Sequence, residues 1–150
     1  MLKFLKASVI LALFRVTSFK ARVICYSTED PDKVRKALRS VVGDDVQIVS
    51  KKTQGYYRDP IYVMECYSNN ERIVSKVFNR ILGALGMNGW QLLRPGIEMT
   101  SREHGRLHIR LDKQEAYLGR LTLSEHDAVK IEFSFKGSVE ELEEAIRGES

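Results

Sequence analysis

Phe19-Lys20-Ala21-Arg22-Val23-Ile24-Cys25-Tyr26-Ser27 alternates in character, with Phe19, Ala21, Val23 and Cys25 on one side and Lys20, Arg22 and Tyr26 on the other. A period of two is the mark of a strand with one buried face. Immediately afterwards the period changes. Ser27, Thr28 and Asp30 offer helix N-caps, and Pro31 suits a helix's first turn. Val34, Leu38, Val41 and Val42 then share one helical face, and Gly43 provides the stop. This strand-then-helix unit anchors the reading of the rest.

Downstream, Val46–Ser50 and Ile61–Tyr67 read as a second and third strand. Asn69 and Asn70 can cap a second helix, whose face of Ile73, Val74, Val77, Phe78, Ile81, Leu82 and Leu85 is the strongest periodic signal in the chain before Gly86. Residues 87–105 give a packed turn or short helix around Trp90, Leu92 and Leu93, broken by Pro95-Gly96. Arg106–Asp112 reads as a strand with Leu107, Ile109 and Leu111 inward, followed by a short helical turn over Lys113–Gly119. Leu121–Leu123 and Ala128–Phe135 read as a hairpin, and Ser138-Val139-Glu140-Glu141 is a capping box opening a last helix through Leu142 and Ile146. Strands close in sequence favour antiparallel pairing. The class is α+β, an antiparallel-rich sheet with helices packed on one face.

At 150 residues the chain suits one ordinary domain, and 43% hydrophobic with 29% charged residues describes a globular protein. The division expected is an N-terminal extension over residues 1–16, an α+β domain over 17–137 and an acidic helix over 138–150. The first segment reads either as an amphipathic helix or as an extension beyond the functional domain. Its apolar run, Ala7–Phe14, is far short of a membrane span and lacks a small-x-small cleavage site, so no membrane association is expected. Two cysteines, Cys25 and Cys66, sit in strand-like apolar contexts, which reads as buried reduced thiols and a cytoplasmic location. The net charge of +4 is unevenly spread: +7 over residues 1–58, +2 over 59–120 and −5 over 121–150. A polyanion would therefore meet the first two-thirds of the chain, unless the surface is merely a solvated one that leans basic.

Catalytic constellations are not found in the sequence. His104, His108, His126, Cys25 and Cys66 show no metal-finger spacing, so no metal site is expected. There is no phosphate-cradling glycine loop, no nucleophile elbow and no cofactor motif. The carboxylate pairs Glu29-Asp30 and Asp44-Asp45 lie at turns or caps, where structure already accounts for them. The expectation is a non-enzyme without cofactors.

Two segments carry binding chemistry. Lys51, Lys52 and Arg58 stand beside Tyr56 and Tyr57 on a strand-connecting loop, where cations can grip phosphates and aromatic rings can stack on unpaired bases. The plainer alternative is a solvated hairpin whose tyrosines pack on the sheet. At the end of the Arg106–Asp112 strand, Arg110, Lys113 and Gln114 could donate to a phosphate or a base edge. The alternative there is that Asp112 and Gln114 bond their own backbone and shape the turn.

Three stretches together resemble an archaeal family described as RNA-binding proteins or predicted exosome subunits. They are Ser27-Thr28-Glu29-Asp30-Pro31-Asp32-Lys33-Val34, Gly55-Tyr56-Tyr57-Arg58-Asp59-Pro60-Ile61 and Leu111-Asp112-Lys113-Gln114-Glu115-Ala116-Tyr117-Leu118-Gly119. The third is the most specific, although the family pattern has Phe where this chain has Leu111. The resemblance spans roughly residues 17–137. It implies a fold of the ribosomal protein L-five class and a role with RNA, as an accessory to RNA processing, decay or ribosome-related machinery. On that reading the RNA contacts are Lys51, Lys52, Tyr56, Tyr57, Arg58, Arg110, Lys113 and Gln114. The reading from a different class is a protein-interaction subunit of a larger RNA-processing complex, without direct RNA contact.

Overall fold

Asp30 and Asn70 start the two long helices. The Asp30 carboxylate accepts from the Asp32 amide, and the Asn70 side chain accepts from the amides of Arg72 and Ile73. Each such cap satisfies backbone donors that a helix start leaves open, at about 1 kcal/mol. The helices they open are α1 (Pro31–Val42) and α2 (Glu71–Leu85), stopped by Gly43 and Gly86 at positive φ. The computed structural model describes residues 14–54 and 59–149. Strands β1 (Arg15–Cys25), β2 (Val49–Gln54), β3 (Pro60–Ser68), β4 (Ile97–Met99), β5 (His104–Asp112) and β6 (Ala128–Lys136) form one six-stranded antiparallel sheet in the order β2-β3-β1-β6-β5-β4. Three further helices follow: α3 (Gly89–Leu93), α4 (Lys113–Tyr117) and α5 (Val139–Glu149). The expected α+β class and antiparallel sheet are observed.

The chain divides into two units. The first comprises the N-terminal segment through Phe19, Asn69–His108, and Glu132 onward. Its core is aromatic. Phe14 packs on Phe78 and Phe135 at centroid distances of 6.2 and 5.5 Å, and Phe133 joins Phe78 at 5.3 Å and Phe19 at 6.0 Å. Such ring pairs add roughly 0.5–1.5 kcal/mol each beyond area burial. Phe14 is buried and β1 begins at Arg15, so the fold includes residues ahead of 17; residues 1–13, most of the expected extension, lie outside the described residues. The capping box closes both ways, with the Glu141 amide donating to Ser138 Oγ and the Ser138 amide to Glu141 Oε2. Leu142 of α5 is fully buried in this unit.

The second unit comprises Lys20–Ser68 and Ile109–Ile131. Its core is aliphatic, with Ala21, Val23, Leu38, Val41, Leu111 and Ile131 all at 1% exposure or less. Cys25 and Cys66 are free and buried, as expected. Burial pushes the Cys66 thiol up to about 11, against partial opposition from Arg39.

Three details differ from the sequence reading. The second strand runs Val49–Gln54, later than the expected Val46–Ser50, because Val46 and Ile48 are buried in the approach to β2, where their apolar pattern imitates a strand. Leu121–Leu123 does not form a hairpin strand; Leu123 makes an isolated bridge to Leu111. Finally, β4 is an unforeseen strand pairing antiparallel with β5, Glu98 opposite Arg106.

Candidate nucleic-acid interface

Arg110 and Lys113 are three residues apart and have opposite fates. β5 alternates strictly, with Leu107, Ile109 and Leu111 buried and Arg106, His108 and Arg110 exposed. At its end Asp112 caps α4 by accepting from the Glu115 amide at 2.8 Å. The chain turns there, and Lys113, the first residue of α4, points inward.

Its side chain is only 5% exposed. The ammonium donates to Glu29 Oε1 at 2.7 Å and to the Ile24 carbonyl at 3.0 Å, and pairs with Asp127 Oδ2 at 2.6 Å. Burial alone would pull its pKa down; the bonds and charges of Asp127 and Glu29 outweigh that and hold it above the ordinary lysine value. Glu29 Oε1 also accepts from the Tyr26 amide at 3.1 Å. The ammonium stands 5.0 Å from the Tyr26 ring centroid, a cation–π distance. Lys113 is thus an internal strut joining the ends of β1 and β5 to the Ser124–Asp127 turn, and its charge is committed.

Gln114 is exposed and lines a cleft of about 360 Å³ between α1 and α4, with Asp30, Lys33, Tyr117 and Leu118. There the Tyr117 ring lies 5.7 Å from Lys33 Nζ and 4.9 Å from Lys36 Nζ. The resemblance stretches around Asp30 and around Gln114 therefore meet, and they meet on each other.

The unit's open sheet face carries different residues. Lys20 and Arg22 on β1, Lys130 on β6 and Arg110 on β5 are all exposed, and none forms an ion pair with a described residue. Arg22, Arg110 and Lys130 line a second cleft, of about 240 Å³, together with Tyr26 and His126. Tyr26 is 43% exposed. Carboxylates nearby are occupied: Asp127 by Lys113, and Asp112 by its cap.

Lys51 and Lys52 sit on β2, opposite Val63 and Tyr62 of β3. Consecutive strand residues face opposite ways. Lys51 shares its face with Glu65, which it approaches at 3.8 Å, and Lys52 shares the face of buried Met64 and Cys66. The two lysines therefore do not form one patch. Between β2 and β5 stand β3, β1 and β6, roughly 19 Å from Lys51 to Arg110 at the usual strand spacing. Tyr56, Tyr57 and Arg58 lie outside the described residues. Sequence reasoning missed Arg22, Lys130 and Tyr26 as site residues. The alternation of Lys20 and Arg22 was visible; their alignment with Lys130 and Arg110 needed the strand order.

His104 and His108 share the exposed face of β5 but stand four residues apart, roughly 13 Å along a strand. Each has its own partner: Ser101 Oγ at 3.2 Å for His104 and Glu98 Oε2 at 3.1 Å for His108. Among the described residues no group of three or more His, Cys, Asp or Glu is placed to hold a metal, and no helix is long and apolar enough to cross a membrane.

A family profile described as RNA binding matches residues 18–135. The chain belongs to this RNA-binding family. Among curated relatives, "RNA-binding protein PAB1135" of Pyrococcus abyssi is 32% identical over 117 residues, covering 75% of this chain and 76% of that protein. The uncharacterized protein MJ0213 of Methanocaldococcus jannaschii is 27% identical over 128 residues, covering 81% and 85%. The fold recurs in the solved structures of Mth689, a DUF54 protein from Methanothermobacter thermautotrophicus, and AF2318 from Archaeglobus fulgidus. Their TM-scores are 0.72 and 0.66 at 22% and 25% identity; the first match covers 88% of this chain and 93% of that one, the second 79% and 86%.

Proposed function

We propose that this chain binds RNA without catalysing a reaction, and does so through the open sheet face of its second unit. The observation that carries the reading is the set of exposed cations Lys20, Arg22, Arg110 and Lys130 on adjacent strands, without ion-pair partners among the described residues. Unpaired surface cations on a sheet are poised to neutralise phosphates and release counterions. Lys51 extends the set on β2, where its pairing with Glu65 is exposed and weak. Family membership supports the same reading, and a place as an accessory to RNA processing, decay or ribosome-related machinery is what the resemblance implies. Lys113 leaves the list of phosphate contacts because its charge is buried and doubly paired. Lys52 and Gln114 become peripheral. Tyr56, Tyr57 and Arg58 stay in the proposal on their chemistry and their place between β2 and β3.

The test is a titration with single-stranded and hairpin RNA across a range of salt. Four to five phosphate contacts give a slope of log affinity against log salt of about −3 for a single strand. Replacing Arg22, Arg110 and Lys130 together by Gln should flatten it by about 2 and weaken binding for every sequence. Wild-type protein that binds neither RNA at low salt would sink the reading and leave the protein-docking role.

A further inference from the structure

The cleft beside Tyr26 differs from the rest of the basic face in having a wall. Its cations come from three neighbouring strands, Arg22 on β1, Lys130 on β6 and Arg110 on β5. At one side stands an aromatic ring, 43% exposed and held from behind. The Lys113 ammonium is 5.0 Å from the Tyr26 centroid, Glu29 accepts a hydrogen bond from the Tyr26 amide, and Lys113 ties Glu29 to Asp127. The ring is therefore fixed before any ligand arrives, so little conformational entropy remains to be lost on stacking. Lys113 takes up one side of the ring, and the exposure of Tyr26 leaves the rest for a planar ligand.

We propose that this cleft is a seat for one unpaired nucleotide of an RNA strand. The base stacks on the outer side of Tyr26, and the flanking phosphates lie on Arg22, Arg110 and Lys130. A cleft of about 240 Å³ takes a single nucleotide unit. A base inside a duplex is stacked on both faces and offers none to a protein ring, so the seat selects single-stranded segments, loops or bulges. Glu29 and Lys113 act as positioning residues for the ring and touch no RNA. The inference rests on the RNA-binding reading and makes it specific: bulk charge gives affinity for any RNA, and Tyr26 gives preference for an unpaired base.

The experiment uses the whole chain and two RNAs of equal length, one an unstructured oligouridylate carrying a single 4-thiouridine, the other a perfect duplex. Wild-type protein should favour the single strand and cross-link at Tyr26 or its cleft neighbours on irradiation. Tyr26→Leu should weaken single-strand binding by about 5- to 100-fold, leave duplex binding unchanged and keep the salt slope. Tyr26→Phe, which keeps the ring, should restore most of the loss. If Tyr26→Leu fails to fold, the wild-type cross-link and the phenylalanine variant still decide. RNA binding that survives Tyr26→Leu intact, with cross-links elsewhere, overturns the seat and leaves the RNA-binding reading standing. Absence of binding to either RNA overturns both. Displacement of the oligonucleotide by an acidic peptide of equal charge, as effectively as by unlabelled RNA, would show that the cleft reads charge alone and would also overturn the seat.

Discussion

Two clefts of the second unit face opposite problems. The one between α1 and α4 is lined by residues of the first and third stretches of the resemblance pattern, Glu29, Asp30, Lys113, Gln114 and Tyr117, and its charged groups are turned on one another. The one beside Tyr26 is lined largely by residues outside that pattern, Arg22, Arg110 and Lys130, and these cations have no ion-pair partner among the described residues. A buried ammonium must be paired because desolvation is costly, so its neighbours are constrained to match it. An exposed guanidinium on a strand meets no such demand. On the proposed reading, the first and third resemblance stretches of this chain supply what builds the interface, and residues outside them supply what touches the RNA.

The sharpest way to break this comparison is Lys113→Met. The apolar stem fits the site, but Glu29 and Asp127 lose their common partner. We expect a loss of about 3 kcal/mol of stability, less than for a fully buried triad because Asp127 is half exposed. Chemical denaturation measures it. RNA affinity per folded molecule should fall only as far as Tyr26 loosens. A variant of full stability with abolished RNA binding would make Lys113 a contact residue after all.

Alkali probes the buried ammonium of the first cleft without mutation. Lys113 holds its proton above the ordinary lysine value, and the Cys66 thiol is pushed from 9.0 to about 11. Both folded-state values are raised. Their contribution is complete below the unfolded values and is lost as pH climbs through the folded ones. Stability should therefore fall from about pH 9 through 11 on account of Cys66, by up to roughly 2–3 kcal/mol, and further above about 10.4 as Lys113 is stripped. Thermal melts from pH 7 to 11 should show a decline; a flat profile would mean that Lys113 and Cys66 are not held as described.

The smallest effect lies on β2. Lys51→Ala should flatten the RNA salt slope by about 0.7, and Lys52→Ala, on the other face, by less. Equal slopes for the two variants would mean that RNA wraps the sheet edge instead of lying on its open face.

How much of this could be read in the sequence follows from the range of each signal. The alternation at Phe19–Cys25, the caps at Asp30 and Asn70 and the Ser138–Glu141 box are local, and each is where it was read. Three-residue β4 is too short for a period to show. Val46 and Ile48 alternate as a strand would, yet their burial comes from packing in a connection. Arg110 was legible as a candidate because it ends a clear strand. The partners of Lys113 lie 84 residues before and 14 after it, and no spacing announces such a triad. The row of Arg22, Lys130 and Arg110 exists only because β1 sits inside the sheet between β3 and β6, an order that departs from the order of synthesis.

That same strand order leaves β2 at a margin of the sheet, with one row of its backbone donors and acceptors unmatched by any strand among the described residues. A margin of this kind invites a second chain to add on, and lysines projecting from it are a common deterrent. Lys51 and Lys52, both exposed, fill that role whatever else they do. Neutralising them together would uncover a six-residue ribbon, Val49–Gln54, that can recruit copies of itself. A double variant that loses RNA should first be checked for self-association by light scattering, since clumped protein would mimic a lost contact.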